Sequence, residues 1–320
     1  MKEIILKGYH WPQLEFEKLN SNQIFYMALN YTSKCNYRCP YCFVGHDDLN
    51  SDIDELTLEE KKRIIKEGKL NGAKVLVIPG RGEPFMDKDF WDLLDYADLL
   101  NLWTVVYTNG HFLNRENIDK LTKSKISLYI KVDSFDENIY DELVGKTGAF
   151  AKFKENFDYL LSNFHKPEYS NGKVISRLGM NSVVTKQSVD SIEDIYRFCK
   201  KNDIYYTCRS PVKVGQANKT WDYLVGDEVE KLKSTGEKFS TRSFTSATPL
   251  GQCGIYKYGL TIENIGDIYV CPDAREGFEP IGNIKSMSMS DLIQIRNRKF
   301  PLNSDSNFCF VKSFRNIEEK

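Results

Sequence analysis

Three cysteines, Cys35, Cys39 and Cys42, lie within eight positions of a 320-residue chain that has eight cysteines in all. Their spacing is C-x3-C-x2-C. A structural zinc site normally has four protein ligands, and only His46 is placed to complete such a site here. Three thiolates suit a [4Fe-4S] cluster better, because one iron then stays open for an external ligand. We therefore predict an open cluster whose remaining ligand is a cofactor.

The composition is that of an ordinary globular protein, with 41% hydrophobic residues, 28% charged residues and a formal net charge of −1. This balance of charges does not indicate binding to nucleic acid or to a membrane surface. The first residues contain only a short apolar run, and no later segment is long enough to span a bilayer. We expect a cytoplasmic protein, and in a reducing cytosol clustered cysteines favour metal binding over disulfides.

Strand-like and helix-like runs alternate between residues 25 and 210, which predicts an α/β fold. Thr57, three residues before Glu60, forms a capping-box pattern at the start of one amphipathic run. Parallel strands joined by helices carry their chemistry at the strand carboxyl ends, as in a partial (β/α)6 TIM-like barrel. The six strand-like runs are 24–31, 74–78, 103–108, 127–133, 177–185 and 204–209. The cysteine triad follows the first of them, at the predicted mouth of the barrel.

The C-terminal part carries a second cysteine set, Cys253, Cys271 and Cys309. The stretch LTIEN-IG-DIYVC predicts a β-hairpin. We expect an N-terminal extension over residues 1–24, the barrel over 25–210, a bridge over 211–250 and a small β-hairpin/α cluster-binding extension over 251–320.

The triad, with the aromatic Tyr41 before its last cysteine, resembles the signature of the radical S-adenosylmethionine (SAM) superfamily. The stretch PGRGEP resembles that family's Gly-Gly-Glu-Pro loop, although Arg81 replaces a small residue. The resemblance implies that these residues bind the SAM amino group and that others contact the rest of the cofactor. The cofactor-binding residues so expected are Tyr41, Gly80, Gly82, Glu83, Pro84, Asn109, Lys131, Asp133, Ser134, Asn181 and Arg209.

The arrangement C-x12-G-x4-C from Cys253 to Cys271 resembles the start of the SPASM and twitch extensions of this superfamily, which bind auxiliary iron–sulfur clusters. It implies a second cluster held by Cys253, Cys271 and Cys309. Lys312 stands where a C-x2-C pair would place a further cysteine. Buried structural cysteines are the alternative.

The resemblance implies reductive cleavage of SAM to methionine and a 5′-deoxyadenosyl radical, with a flavodoxin- or ferredoxin-like electron donor. About 24 residues precede the first strand, too few for a fused peptide-recognition domain, so we expect a small polar metabolite as substrate: a sugar, a cyclitol or a nucleotide-like molecule. A peptide substrate is the alternative. A non-catalytic iron–sulfur electron carrier is the alternative from another class, but it would not need a SAM-type loop.

Two further cysteines differ in their surroundings. Cys199 lies on an amphipathic helical run, which predicts a packing role, whereas Cys208 ends the sixth strand. Cys208 is a candidate catalytic hydrogen-atom donor for an epimerisation, with packing as its alternative. We favour an oxidative or other electron-transfer outcome, because a whole segment accompanies the second cysteine set. The four histidines, His10, His46, His111 and His165, lack ligand spacing and are expected to be exposed or structural.

Overall fold

The computed structural model describes residues 3–20, 22–240, 258–272 and 278–300. The strands are β1 (Glu3–Leu6), β2 (Tyr26–Leu29), β3 (Val75–Ile78), β4 (Trp103–Thr108), β5 (Ile126–Lys131), β6 (Glu168–Ser170), β7 (Lys173–Ser176), β8 (Leu178–Val183), β9 (Tyr205–Arg209), β10 (Gly259–Ile262), β11 (Asp267–Tyr269) and β12 (Gly282–Asn283). The helices are α1 (Gln13–Glu17), α2 (Leu58–Leu70), α3 (Phe90–Leu99), α4 (Arg115–Thr122), α5 (Glu137–Val144), α6 (Ala149–Asn163), α7 (Ile192–Lys201), α8 (Gln216–Lys219), α9 (Trp221–Leu224), α10 (Val229–Phe239) and α11 (Met289–Lys299).

The described chain divides into two compact units. The first unit contains residues 3–7, 34–51 and 107–240, and the second contains 8–33, 52–106, 258–272 and 278–300. In the first unit, β5, β8 and β9 are neighbouring parallel strands. A separate sheet has the order β1–β7–β6, in which β1 and β7 are parallel.

The second unit has the strand order β12–β11–β10–β2–β3–β4. Strands β10, β2, β3 and β4 are parallel, and β11 and β12 are antiparallel to their neighbours. Every residue of β2, β3 and β10 is buried. Strands that are buried on both faces are typical of a parallel sheet covered by helices.

Local sequence explains where several helices begin. Thr57 caps α2 through the predicted capping box, since its side chain accepts from Glu60 N while the Glu60 carboxylate accepts from Thr57 N. The side chains of Asn114 and Asp136 cap α4 and α5 in the same way. Among the residues that the structure describes, none of the helices is long and apolar enough to cross a membrane.

The six predicted strands are confirmed as β2, β3, β4, β5, β8 and β9, and the α/β class is confirmed with them. The C-terminal hairpin is confirmed as β10 and β11. The sequence did not indicate that β10 would pair in parallel with β2, in the register Gly259 to Tyr26 through Ile262 to Leu29. The sheet β1–β7–β6 was also not predicted, because β6 is exposed throughout and β1 meets β7 only through long-range pairing.

Candidate functional site

The loop that carries the cysteine triad is held through its backbone. Cys35 N donates to Asn50 Oδ1 at 2.9 Å, and Asn50 Nδ2 donates to Cys35 O at 3.1 Å. Asn50 adopts a left-handed φ of 60°, which asparagine tolerates better than most residues. Arg38 Nη1 also donates to Cys35 O at 3.0 Å. The first cysteine is therefore fixed by two side chains of its own unit.

The other two cysteines have their own backbone partners. The Nε2 atom of His46 lies 3.0 Å from Cys39 O, and the backbone N of Gln216, at the start of α8, donates to Cys42 O at 2.9 Å. Gly215 has φ +56°, and a Cβ there would lie 2.3 Å from the carbonyl oxygen of Phe43. Only glycine permits this approach of α8 to the cysteine loop. His46 thus has a structural role toward the loop.

The three thiols are close enough to influence one another. Burial raises the pKa of the Cys39 thiol, and the neighbouring Cys42 and Cys35 raise it further, whereas Tyr41 and Lys131 lower it. All three cysteines are half-buried. Such a set suits a cubane, whose positive irons would offset the mutual repulsion of three thiolates. In the described part of the chain, no group of three or more His, Cys, Asp or Glu side chains is arranged to hold one metal ion.

An ion pair between a half-buried lysine and a buried aspartate lies beside this loop. Lys131 Nζ forms an ion pair with Asp133 Oδ1 and lies 4.5 Å from the centre of the Tyr41 ring. The Tyr41 hydroxyl donates to Asp133 Oδ2, and Val183 N donates to Asp133 Oδ1 at 2.8 Å. Burial lowers the pKa of Lys131, although the carboxylate of Asp133 acts in the opposite direction. The pair therefore fixes the aromatic residue of the cysteine motif.

Strand register places further predicted residues in one row. Lys131 pairs with Asn181 of β8, and Asn181 pairs with Thr207 of β9. Because side chains alternate along a strand, Cys208 points to the opposite face of the sheet from Thr207. Its thiol donates to the carbonyl oxygen of Gly236 in α10 at 3.5 Å, and burial raises its pKa to about 11. These are the contacts of a packed side chain.

The remaining predicted residues of the first unit lie at strand ends. Asn109 Nδ2 donates to Asn36 Oδ1 at 2.8 Å, which brings the end of β4 to the cysteine loop. Ser134 is fully buried, and its hydroxyl lies 2.8 Å from the Ser191 hydroxyl. Arg209 is exposed at the end of β9.

The glycine-rich loop, residues 79–84, belongs to the second unit and follows β3. Gly80 has φ 79°, and Gly82 N donates to Thr32 O at 3.0 Å. Glu83 is 2% exposed and Pro84 begins a short 3-10 turn. A buried carboxylate beside a glycine backbone is suited to an ammonium group.

Arg81, the residue that departs from the family pattern, is also buried. Its Nη1 donates to Glu263 Oε2 at 2.8 Å, and its backbone N donates to Asn30 Oδ1 at 2.9 Å. Asn30 Nδ2 donates to Glu263 Oε1 at 3.2 Å. The departure thus has a structural explanation, since the arginine has a buried carboxylate partner in the C-terminal hairpin.

A second carboxylate of this unit holds the segment just before the cysteine triad. Glu55 accepts from Ser33 N at 2.6 Å, from Thr32 Oγ1 at 3.0 Å and from Asn264 Nδ2 at 2.9 Å. Burial raises the pKa of Glu55, but the hydrogen bonds from Ser33, Asn264 and Thr32 outweigh it, so that the pKa is lowered overall. Through these hydrogen bonds the Glu55 carboxylate links residues 32–33 to Asn264 in the turn of the C-terminal hairpin.

The second cysteine set is described only in part. Cys271 is half-buried and follows β11, whereas Cys253 and Cys309 lie outside the described residues. Cys199 is buried, with its thiol 3.6 Å from the Met180 sulfur, as its predicted packing role requires. His165 is also buried, and its Nε2 lies 2.7 Å from Asn202 O.

Sequence reasoning missed four residues that support these loops: Asn30, Asn50, Glu55 and Glu263. Asn30 and Glu263 directly follow β2 and β10, so a polar residue at a strand end was a signal that was available for both. Asn50 and Glu55 lie in a stretch without regular structure, where the sequence offers no such signal.

Known proteins resemble this chain in sequence and in fold. A profile of the radical SAM superfamily matches residues 29–200. The mycofactocin maturase MftC of Mycolicibacterium smegmatis is 26% identical over 273 residues, which is 80% of this chain and 66% of that protein. The Fe-coproporphyrin III synthase of Methanosarcina barkeri is 30% identical over 179 residues, 56% of this chain and 42% of that protein. The chain thus spans less than two thirds of both relatives.

Solved structures show the same fold. Streptococcus suis SuiB, in a crystal structure with the precursor peptide SuiA, superimposes with a TM-score of 0.65 at 18% sequence identity. The match covers 94% of this chain and 75% of SuiB. This fold, the cysteine loop at the end of β2 and the profile match over more than half of the residues lead to one conclusion: the chain belongs to the radical SAM superfamily.

Proposed function

We propose that this radical SAM enzyme modifies a peptide. The observation that carries the proposal is the similarity to a maturase over 273 residues, well beyond the 172 residues (29–200) of the superfamily profile. A likeness limited to the SAM-binding part would say little about substrate. The extended likeness to the maturase favours the peptide alternative over the small polar metabolite.

Enzymes of this superfamily use a [4Fe-4S] cluster and SAM. We assign the cluster to Cys35, Cys39 and Cys42, since their spacing and mutual electrostatic influence fit three thiolate ligands. A cluster held there would supply the electron for reductive cleavage of SAM, and the radical chemistry would belong to the cofactor. A flavodoxin- or ferredoxin-like protein is the electron donor that we propose.

Residues of the chain position these groups. Asp133, which accepts from Tyr41 and pairs with Lys131, holds the aromatic ring of the cysteine motif. We assign the SAM amino group to the loop of residues 80–84, where Glu83 supplies negative charge. Asn109, Ser134, Asn181 and Arg209 stay candidates for contacts with the rest of SAM.

We further propose an auxiliary cluster on Cys253, Cys271 and Cys309. The support is the resemblance of the C-x12-G-x4-C arrangement to SPASM and twitch segments, together with the hairpin that ends just before Cys271. A cluster held by these residues would be able to accept an electron from the substrate radical, and on this ground we propose an oxidative outcome.

The small polar metabolite is the second candidate. The observation in its favour is the similarity to the GTP 3′,8-cyclase of Clostridium botulinum, which is 24% identical over 255 residues, 78% of this chain. The lower identity and the slightly shorter extent of that match are the reasons for ranking it second.

The test uses protein that is reconstituted without oxygen and supplied with SAM and dithionite. Short peptides encoded beside the gene are added one at a time, and peptide mass and 5′-deoxyadenosine are followed by mass spectrometry. We expect one peptide to change mass and to raise 5′-deoxyadenosine formation by about tenfold or more. A Cys35→Ala/Cys39→Ala/Cys42→Ala variant is the control. The proposal fails if no such peptide reacts and a low-molecular-weight cell fraction stimulates the reaction instead.

A further inference from the structure

We propose that Asn30, Arg81 and Glu263 form a positioning ring that sets the backbone of the glycine-rich loop for SAM and couples that loop to the C-terminal hairpin. Arg81 lies within that loop, but its guanidinium and the side chains of Asn30 and Glu263 are not assigned to touch SAM. The proposal rests on the assignment of residues 80–84 to the SAM amino group.

Each member of the ring contacts the other two. Asn30 accepts from the Arg81 backbone at 2.9 Å and donates to Glu263 at 3.2 Å, and Arg81 donates to Glu263 at 2.8 Å. The three residues are 2%, 6% and 3% exposed, respectively. Their strands are also joined directly, because Asn30 N donates to Ile262 O at 2.9 Å. The ring therefore connects the end of β2, the loop after β3 and the end of β10.

Arg81 belongs to the loop through its backbone and to the ring through its guanidinium. On either side of it stand Gly80, with φ 79°, and Gly82, whose N donates to Thr32 O. A glycine backbone has little conformational preference of its own. The contacts of Arg81 with Asn30 and Glu263 thus select one loop conformation from the many that the two glycines allow.

The ring is not optimised for stability alone. Arg81 Nε is buried, and no described residue accepts a hydrogen bond from it. A buried donor without a partner is unfavourable, and a buried ion pair is often replaceable by apolar residues without loss of stability. An interaction that was selected only to stabilise the fold would not need a buried guanidinium here. We therefore assign Arg81 a role in positioning the glycine-rich loop, in addition to any effect on stability.

The coupling has a measurable consequence. If Glu263 in the hairpin favours the loop conformation that binds SAM, then SAM must favour the intact hairpin to the same extent, because coupling between two sites is reciprocal. SAM should therefore slow hydrogen exchange in residues 259–269, although the hairpin is not assigned to the SAM site.

The decisive variant is Arg81→Met/Glu263→Met. Either single change removes one charge of a buried ion pair, whereas the double change removes both charges and should restore the melting temperature. We expect the double variant to melt near the wild type, to bind SAM about tenfold more weakly in equilibrium dialysis, and to lose the SAM-dependent slowing of exchange in residues 259–269. Glu263→Gln keeps the shape of the side chain and one acceptor oxygen but replaces the other oxygen by an NH2 donor, and it serves as a second, milder variant with an intermediate SAM affinity.

Two controls separate the outcomes. Arg296→Met removes another buried arginine, which donates to Gly259 O at the opposite end of β10, and it should leave SAM affinity unchanged. Glu83→Gln tests the loop assignment itself. If Glu83→Gln binds SAM like the wild type, the assignment of residues 80–84 fails. If Glu83→Gln binds weakly while the double methionine variant binds normally, the assignment stands and the positioning ring is overturned.

Discussion

Each of the two units has an ion pair at a strand end, and the two pairs differ in what surrounds them. Lys131 and Asp133 of the first unit are two residues apart. Asp133 accepts a hydrogen bond from Tyr41, and the charge of Lys131 lowers the pKa of the Cys39 thiol. Arg81 and Glu263 of the second unit are 182 residues apart, and they share Asn30. The local pair serves the cysteine loop, whereas the distant pair joins two segments of the chain.

Because their surroundings differ, we expect the two ion pairs to have different functions. A cation beside the cysteine loop adds positive charge where thiolates accumulate, and its removal should affect the chemistry. A cation whose partner comes from a distant hairpin restricts the backbone, and its removal should affect affinity. The predictions below test this contrast, beginning with the loop on which the first pair acts.

The largest effect is expected from Cys35→Ala/Cys39→Ala/Cys42→Ala. Without thiolate ligands the chain should form no 5′-deoxyadenosine from SAM. It should keep about half of the wild-type iron, since we propose two clusters of four irons each. Iron analysis and chromatography of the nucleoside measure both. Continued formation of 5′-deoxyadenosine would exclude the triad as the SAM-binding cluster site.

Lys131→Met should lower the rate of SAM cleavage by about 100-fold, as the loss of one preorganised charge commonly does. The variant leaves Asp133 buried without its cation, so Lys131→Met/Asp133→Asn is the second variant, with folding checked by circular dichroism. Lys152→Met, which removes an exposed ion pair of the same unit, is the control. If the variant instead showed a tenfold rise in SAM Kd and an unchanged cleavage rate at saturating SAM, Lys131–Asp133 would act on affinity, as we propose for Arg81–Glu263, and the contrast between the two pairs would fail.

Glu55→Gln should destabilise the protein at neutral pH by about 1 kcal/mol, a modest value because the carboxylate is only partly buried. Since the folded pKa of Glu55 lies below its ordinary value of 4.5, the stabilisation is complete above about pH 4.5 and is lost as the pH falls through the folded pKa. Urea unfolding between pH 3 and 7 measures the difference between variant and wild type. A difference in stability that grows toward acid pH would contradict this role of the Glu55 carboxylate.

The smallest effect is expected from Cys208→Ala, which should leave product formation within about twofold, because the thiol faces Gly236 on the opposite face of the sheet from Thr207. Cys271→Ala should instead abolish product while some SAM cleavage persists. Loss of product in Cys208→Ala, with solvent deuterium at one carbon of the wild-type product, would favour epimerisation.

The sequence predicted those features that depend on local pattern. The six strands, the Thr57 capping box and the C-terminal hairpin all follow from hydrophobic alternation or from residues a few positions apart. The position of Cys39 and Tyr41 after the first strand follows from the same pattern.

Contacts between residues that lie far apart in the sequence could not be predicted from such local patterns. No local rule indicates that Glu263 would meet Arg81, or that Asn264 would donate to Glu55, because both contacts depend on β10 pairing with β2. The face on which Cys208 lies depends likewise on strand register, which a shift of one residue would invert.

The most direct test of the central claim is electron paramagnetic resonance of Cys253→Ala/Cys271→Ala/Cys309→Ala, in which only the first triad can hold a cluster. After anaerobic reconstitution and reduction, we predict about four irons per chain and a single [4Fe-4S] signal whose g values change when SAM is added. A reduced cluster whose signal is unaffected by SAM, or the absence of iron from this variant, would contradict the assignment of an open SAM-binding cluster to Cys35, Cys39 and Cys42.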